Sequence, residues 1–219
     1  MLGTVYVDFD GTIVPSDATD TLFARFCPPA WRQIEREWQQ GRRTARAAMA
    51  DQVALLRATP EALLEAIRTI EIYPEFPRFV TLCRDWHLKL IVLSDGMDRV
   101  VNSVLRTAGL NLPFFANRLE WLGQDRWKLQ FPYLNNNCAA SLGNCKCGHR
   151  SLARGGMDIV VGDGRSDFCI AERAQLVLAK GQLAAHCQAR RMPHQPMHDF
   201  ADASDHLAAW LAKNARKSA

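Results

Sequence analysis

Two carboxylates stand two residues apart directly after an apolar segment near the start of the chain. Residues 4–7 (Thr-Val-Tyr-Val) are typical of a short buried strand, and Asp8-Phe9-Asp10-Gly11-Thr12 follows them at once. Side chains two residues apart leave a strand on the same side, and Gly11 permits a tight turn just beyond them. Like charges held so close favour a bound cation or a shared proton. This segment alone leaves a second interpretation open, an Asp-rich turn whose carboxylates cap local backbone.

Two further apolar segments end in polar residues of the same kind. Residues 88–93 run into Ser94, and residues 159–161 run into a segment that contains Asp163 and Asp167. In an open parallel sheet the carboxyl ends of the strands meet at one edge, where ligands bind. Several carboxylates gathered there suit Mg²⁺, which prefers oxygen ligands and keeps positions open for water and phosphate. A carboxylate, a metal, a hydroxyl and a lysine in one pocket describe phosphoryl transfer through an aspartyl intermediate.

The elements that position these residues follow a simple plan. Residues 16–72 contain four segments of helical spacing and no convincing strand, whereas strands and helices alternate from Pro74 onward. We therefore predict an α/β fold, a doubly wound parallel (Rossmann-like) sheet formed by residues 1–15 and 73–219, with an inserted all-helical cap at 16–72. A β-hairpin is expected at about 112–134. The other predicted elements are strand 176–179 and helices 75–86, 98–108, 167–174, 181–191 and 203–213.

Taken together, these motifs resemble the haloacid dehalogenase (HAD) superfamily of phosphohydrolases. Residues 4–12 match its first motif, residues 90–94 its second and residues 162–167 its fourth. Lys146 is assigned to the third motif, a lysine some way before the fourth. The resemblance implies a phosphatase whose small helical cap excludes water and selects the substrate.

The resemblance also implies a role for each residue that matches a motif. Asp8 would be the nucleophile, and Asp10 the general acid toward the leaving group and then the general base on water. Thr12 would orient Asp10. Ser94 and Lys146 would bind the phosphoryl oxygens and stabilise their charge.

The same resemblance implies the ligands of Mg²⁺. They would be the Asp8 carboxylate, the backbone carbonyl of Asp10 and Asp163, with Asp167 bonding from the next position.

A finer resemblance points to one branch of this family. Residues 94–98, 131–133 and 178–181, with the cysteine-rich loop around Lys146, are similar to methionine-salvage phosphatases, which act on a phosphorylated methylthio-pentenyl enol. Phosphoserine phosphatases and phosphoethanolamine/phosphocholine phosphatases share the plan and are the alternatives. Asp95, within the phosphate-binding segment Ser94-Asp95-Gly96, replaces a glycine common in the salvage and phosphoserine enzymes and is expected to add negative charge beside the phosphate site.

Several side chains allow a second interpretation. Cys138, Cys145, Cys147 and His149 are sufficient in number for a zinc site, but their spacing is not that of common structural sites, so free thiols that position Lys146 are expected. Trp31, Trp38 and Trp86 lie at helical periods and are predicted to be core residues.

Composition narrows the class of protein. The 219 residues are 48% hydrophobic and 23% charged with a net charge of +4, which is ordinary for a globular protein and suits an anionic small molecule. Basic and aromatic residues are not clustered as nucleic-acid binding requires, and no apolar stretch is long enough to span a membrane. Seven cysteines, an odd number, favour a reduced, cytoplasmic setting. A monomer and a homodimer both remain open.

Two other functions fit the same residues less well. A receiver-like signalling module would also carry a phosphate-accepting Asp at a strand end. Asp10 disfavours it, because a general acid/base two residues away makes an aspartyl phosphate short-lived. A dehalogenase on this fold would not need Asp10, Asp163 and Asp167 for magnesium.

Overall fold

A mostly parallel sheet of seven strands organises the protein. The computed structural model describes residues 3–138, 140–152 and 156–215. The strand order is β4-β3-β2-β1-β5-β6-β7, every neighbouring pair is parallel except β3 and β4, and the predicted doubly wound α/β fold is confirmed. The strands are β1 Gly3–Asp8, β2 Leu88–Met97, β3 Phe114–Gly123, β4 Arg126–Gln130, β5 Met157–Gly162, β6 Leu176–Ala179 and β7 Gln195–Pro196.

The first strand lies at the centre of the sheet. Its side chains alternate between two apolar layers, with Val5 and Val7 in one and Tyr6 in the other, because successive residues of a strand point to opposite faces. Asp8 pairs with Leu93 of β2 and Val7 pairs with Val161 of β5. The polar residues that follow these three strands therefore lie at one edge of the sheet.

Helices cover both faces of the sheet. Buried side chains of α5, α6 and α9 belong to the larger apolar layer, and those of α7 and α8 belong to the smaller one. Such coverage is what nearly continuous apolar strands require. These helices are α5 Phe76–Asp85, α6 Asp98–Thr107, α7 Phe168–Ala171, α8 Gly181–Ala189 and α9 Phe200–Ala215.

Four more helices form an insertion between β1 and α5. They are α1 Ala18–Phe26, α2 Trp31–Gln39, α3 Ala45–Ala54 and α4 Pro60–Ile67, and we call residues 18–67 the helical insertion. Side chains of Asp17, Thr44 and Thr59 cap the first, third and fourth of them by accepting a backbone N–H bond. The assignment of residues 16–72 to a separate cap domain stays a prediction.

The helical insertion is bonded to the β-hairpin and to the loop after it. The Ala58 N–H donates to the carbonyl of Asp125 at 3.1 Å, and the indole N–H of Trp127 donates to the carbonyl of Ala58 at 2.8 Å. The Arg46 N–H also donates to the carbonyl of Ser141, in the loop after the hairpin, at 3.2 Å. None of the helices in the described part of the chain is long and apolar enough to cross a membrane.

Three elements differ from the sequence-based expectations. Strand β2 continues past Ser94 to Met97, with an irregular register against β3 between Leu93 and Met97. Residues Lys146–Leu152 form a 3₁₀ helix where a loop was expected. The short edge strand β7 was not predicted, because one of its two residues is Pro196, and proline opposes strand assignment everywhere except at a sheet edge.

Candidate active site

A buried lysine joins two carboxylates at the edge of the sheet where the polar residues after β1, β2 and β5 lie. The Lys146 ammonium donates to Oδ1 of Asp8 and, at 2.7 Å, to Oδ1 of Asp167. Lys146 is only 1% exposed. Burial alone would lower its pKa, but the charges of Asp167 and Asp8 outweigh burial and hold the pKa above its usual value. Lys146 is therefore a fixed positive charge in direct contact with the carboxylate at the end of β1.

A third carboxylate, Asp163, completes an acidic group. The Thr12 hydroxyl lies 3.0 Å from Oδ1 of Asp163 and 3.3 Å from Oδ2 of Asp8, so it can donate its proton to either. Neither bond orients Asp10, the role that the resemblance implied. Gly11 has a φ of +71°, and a Cβ there would lie 2.5 Å from the Asp163 carboxylate. Glycine is thus required for Asp163 to approach the turn after β1.

The acidic group suits a divalent cation. Oxygen atoms of Asp8, Asp163 and Asp167 all lie within 4.8 Å of one another. Burial raises the pKa of Asp8 and of Asp167 to about 6 although Lys146 opposes the shift, and burial also raises the pKa of Asp163. One ammonium cannot neutralise three carboxylates, so negative charge is left over. Hard oxygen ligands with uncompensated negative charge are what Mg²⁺ requires, and the residues fit the predicted ion.

Asp167 has the least freedom to be a direct ligand. Its Oδ1 accepts from Lys146, and its Oδ2 accepts from the backbone N–H of Gly164 at 3.2 Å. These bonds hold it beside the other two carboxylates.

Asp10 occupies a different position from Asp8. Its Oδ1 accepts from the N–H of Ala18 at 2.9 Å, and its Oδ2 accepts from the Ser94 hydroxyl at 3.3 Å. Burial, followed by the charges of Asp17 and Asp8, raises the pKa of Asp10 well above its usual value. A carboxyl group with a raised pKa keeps its proton to a higher pH and is suited to donating it.

Ser94 and Gly96 both pack against the Asp10 carboxyl group. The Gly96 N–H donates to the Ser94 hydroxyl at 2.9 Å. A Cβ at Gly96 would lie 3.0 Å from both Oδ2 of Asp10 and Oγ of Ser94, so a larger residue would crowd this part of the site.

The Asp95 carboxylate forms hydrogen bonds with two asparagines and, among the residues that the structure describes, none with Asp8 or Asp10. Its Oδ1 accepts from the backbone N–H of Asn144 at 2.8 Å and from the Asn117 amide at 3.2 Å. The Asn144 side chain in turn donates to the carbonyls of Ser94 and Phe115, both at 2.9 Å. The Asp95 carboxylate therefore ties the loop before Lys146 to β2. Sequence reasoning missed Asn144, because a single asparagine in a polar loop gives no signal of burial.

A cavity of about 680 Å³ connects the acidic group to the helical insertion. One end is lined by Asp8, Asp10 and Asp163, and the other by side chains of the insertion. Trp38 lines the cavity and is only half buried, so the prediction that it is a core residue was wrong. Trp31, seven residues earlier on the same helix, is 5% exposed and does belong to the core. The other residues of the insertion that line the cavity are Thr19, Asp20, Phe23, Glu35, Ala45, Ala48, Met49 and Gln52, and Asp17, which caps α1, lines it too.

The cysteine-rich loop does not gather Cys138, Cys145, Cys147 and His149 as a zinc site would, the alternative to the expected free thiols. The His149 ring bonds to the Asn144 amide oxygen at 2.6 Å and stacks on Phe115. Cys138, Cys145 and Cys147 are free thiols. Within the residues that the structure describes, only the acidic group brings three ligand atoms within 4.8 Å of one another.

Comparison with known families agrees with this geometry. The family described as "haloacid dehalogenase-like hydrolase" matches residues 5–172, which hold every residue of the site described above. The chain belongs to this family. It is an enzyme, and within the HAD family it is a phosphatase.

Two similar proteins match more than nine-tenths of the chain. A "2-hydroxy-3-keto-5-methylthiopentenyl-1-phosphate phosphatase" of Geobacillus thermodenitrificans is 28% identical over 211 residues, 93% of this chain and 94% of the relative. A protein of the same name from Exiguobacterium sp. is 29% identical over 211 residues, 93% of this chain and 96% of the relative.

Solved structures support the fold. A phosphoserine phosphatase described as a "Phospho-Aspartyl Intermediate Analogue" superposes with a TM-score of 0.69 at 19% identity, covering 94% of this chain and 97% of that one. A second, from T. onnurineus, gives a TM-score of 0.69 at 18% identity, covering 94% of each chain.

Proposed function

We propose that this HAD phosphatase is a Mg²⁺-dependent phosphomonoesterase that hydrolyses a small phosphorylated metabolite through an aspartyl-phosphate on Asp8. The observation that carries the proposal is the buried contact of Lys146 with Asp8 and Asp167 at the end of the central strand. A permanent positive charge at this point is suited to phosphoryl oxygens, whose charge must be stabilised as the phosphoryl group transfers.

In the first half of the reaction, the Asp8 carboxylate attacks phosphorus while the ester bond to the substrate oxygen breaks. Asp10 gives its proton to that leaving oxygen. The raised pKa of Asp10 supports this role, because the acid must hold a proton when the substrate binds. The products of this half are an alcohol and phosphorylated Asp8.

In the second half, Asp10 is a carboxylate and takes a proton from a water molecule. That water attacks the phosphorus of the aspartyl-phosphate, the bond from phosphorus to the Asp8 oxygen breaks, and inorganic phosphate leaves. The bonds from Ala18 and Ser94 hold Asp10 in one orientation for both transfers.

Asp8, Asp163 and the backbone carbonyl of Asp10 would hold Mg²⁺, with Asp167 beside them. When bound, the ion supplies positive charge to the phosphoryl oxygens and to the acidic group. The other contacts to those oxygens would come from Lys146 and from the segment Ser94-Asp95-Gly96.

The proposal is tested by trapping the phosphoenzyme. Wild type and the Asp10→Asn variant are mixed with Mg²⁺ and p-nitrophenyl phosphate, whose leaving group needs no general acid, then quenched in acid and analysed by peptide mass spectrometry. Asp10→Asn should accumulate a phosphoryl group on Asp8 because it lacks the base for the second half, whereas wild type should show little. Turnover by wild type with no phosphorylated Asp8 in either protein would contradict the mechanism. A long-lived phosphoenzyme in wild type would instead support the receiver-like function.

For the substrate, we propose first the methylthiopentenyl-1-phosphate named in the curated relatives. The relatives' names support it, and so does the part of the cavity formed by Phe23, Met49 and Leu142, which offers apolar surface to a methylthio chain. The enzyme would then serve a cytoplasmic pathway, with the helical insertion as the cap that selects the substrate.

A second candidate is a phosphate ester with a cationic group, such as phosphoethanolamine, phosphocholine or phosphoserine. Carboxylates of Asp17, Asp20 and Glu35 line the insertion end of the cavity, and in the described part of the chain none of them forms an ion pair. Trp38 lies in the same wall, and a tryptophan face attracts ammonium groups. This wall complements a positive charge carried on the part of the substrate farthest from the phosphate.

One experiment separates the two candidates. Values of kcat/KM are measured for methylthiopentenyl phosphate, the three cationic esters and glycerol phosphate, with wild type, Glu35→Gln and Glu61→Gln. Glu61 is an exposed carboxylate on α4 and serves as the control. If the cationic esters are substrates, Glu35→Gln should lower their kcat/KM and leave glycerol phosphate unchanged. If methylthiopentenyl phosphate is the substrate, its kcat/KM should be the highest of those measured, and Glu35→Gln should change that kcat/KM little.

A further inference from the structure

Four thiols form a row beside Lys146. The sulfur atoms of Cys145 and Cys147, the two neighbours of Lys146 in sequence, lie 3.4 Å apart. The row continues on both sides, because the thiol of Cys138 interacts with Cys145 and the thiol of Cys169 interacts with Cys147. All seven cysteines of the chain are free thiols in this structure.

The shape of the row favours reaction in pairs over metal binding. A zinc ion with four thiolates holds every pair of sulfurs at roughly 3.8 Å, as its tetrahedral geometry and Zn–S bond length require. Here no three of the four described sulfurs lie within 4.8 Å of one another, although those of Cys145 and Cys147 are in contact. Two thiols in contact are the arrangement from which a disulfide forms.

Cys145 and Cys147 differ in their access to solvent. Cys147 is half buried, whereas Cys145 is 1% exposed. A reagent in solution therefore reaches Cys147 first, and Cys145 is positioned to react with the product. The two sulfurs need to approach by only about 1.4 Å to reach the length of a disulfide bond.

We propose that Cys145 and Cys147 form a redox-active dithiol, oxidised by low-molecular-weight disulfides, and that their disulfide removes Lys146 from Asp8 and Asp167. The Cys147 thiolate attacks one sulfur of the reagent, the reagent's S–S bond breaks, and one thiol leaves with a proton. The Cys145 thiolate then attacks the Cys147 sulfur of the mixed disulfide and releases the second thiol. Two protein thiols are oxidised and one disulfide is reduced, so atoms and electrons balance.

The effect on Lys146 follows from its place between the two cysteines. A bond between residues 145 and 147 encloses the backbone of Lys146 in a small ring, at the first residue of the 3₁₀ helix Lys146–Leu152. The Lys146 ammonium donates hydrogen bonds to two carboxylates, and the side chain is fully buried. If the Lys146 backbone moves, the buried side chain cannot shift to keep both bonds. A displacement of about 1 Å at a catalytic group costs up to about 100-fold in rate.

The test maps the disulfide and measures activity in the same samples. Full-length protein is incubated with oxidised glutathione, the remaining thiols are alkylated, and the unfolded protein is cut after Leu142 and after Lys146 with chymotrypsin and trypsin. The two cuts place Cys138, Cys145 and Cys147 on three different peptides. We expect linked Cys145 and Cys147 peptides, a parallel loss of p-nitrophenyl phosphate hydrolysis of about 100-fold, and recovery of both with dithiothreitol.

Variants separate this dithiol from the other thiols. Cys147→Ser should keep its activity in oxidised glutathione, and Cys27→Ser, a control at a half-buried thiol outside the row, should lose activity as wild type does. The idea is overturned if the linked peptides are absent, if Cys147 links to Cys169 instead, or if activity stays unchanged when the Cys145–Cys147 link is complete. The mapping needs neither a variant nor the proposed phosphatase reaction, so failure of that reaction would be recognised separately.

Discussion

Lys146→Met removes the positive charge that Asp8 and Asp167 share. Methionine has nearly the same length, so the change leaves two buried carboxylates, 7% and 1% exposed, without their cation. Loss of one partner from a buried ion pair costs about 3–5 kcal/mol. In a chain of this size each kcal/mol lowers Tm by about 2–4 °C, so Tm should fall by roughly 6–20 °C.

The same change should reduce catalysis. An interaction made with developing charge in the transition state contributes about 10²–10³-fold to kcat, and we expect a loss of that size together with a higher KM. Lys146→Arg should rescue only part of the rate. The site is 1% exposed and shaped around a compact ammonium, and the guanidinium is larger and planar.

Lys128→Met is the matched control, because Lys128 is exposed on β4 and carries the same charge. Thermal unfolding and steady-state hydrolysis of p-nitrophenyl phosphate are measured for the wild type and all three variants, with and without MgCl₂. Added Mg²⁺ should raise Tm most in Lys146→Met, whose acidic group has lost its only cation among the described residues. A Tm equal to that of Lys128→Met, or a kcat within threefold of wild type, would refute the reasoning.

Three further predictions concern single carboxylates. Asp8→Asn should fold normally and keep less than about a hundredth of the activity, because an amide is a poor nucleophile; more activity would exclude Asp8 from that role. Asp163→Ala should raise the Mg²⁺ concentration for half-maximal activity, and an unchanged value would show that it is not a ligand. Burial, with the charges of Asp17 and Glu35, raises the pKa of Asp20 to about 7, so stability from its neutral form is full below about pH 4 and lost as pH rises through 7. The Tm of Asp20→Asn minus the Tm of wild type should therefore be larger at pH 8 than at pH 5. An equal Tm difference at both pH values would contradict this.

The strands and their polar ends could be predicted because the signals are local. An apolar run such as residues 159–161 has few alternatives to a buried strand, and the parallel arrangement then brings Asp8, Ser94 and Asp163 to one edge. The helical insertion was predicted for the same reason, since helical periodicity and capping residues such as Thr59 are also local.

The contacts inside the site could not be predicted in the same way. Lys146 and Asp8 are 138 residues apart, and the bond between them depends on a loop whose path is set by buried hydrogen bonds of Asn144. Nothing in the sequence says that the Thr12 hydroxyl lies beside Asp163 and Asp8 and not beside Asp10, because Asp163 reaches it only through the fold, from 151 residues away. Helical spacing shows that Trp38 shares a face with core residues, but not that this face borders a cavity.

The bonds from the helical insertion to the hairpin have a mechanical consequence. The cavity lies between the insertion and the strand ends, and Ala58 is hydrogen-bonded to the hairpin at Asp125 and Trp127. The Arg46–Ser141 bond adds a second attachment, five residues before Lys146. Unless these attachments break, an outward swing of the insertion must pull the hairpin and the Lys146 loop with it. The movement that opens the cavity would then also withdraw the Lys146 ammonium from Asp8. The site would become reactive only when the insertion closes again.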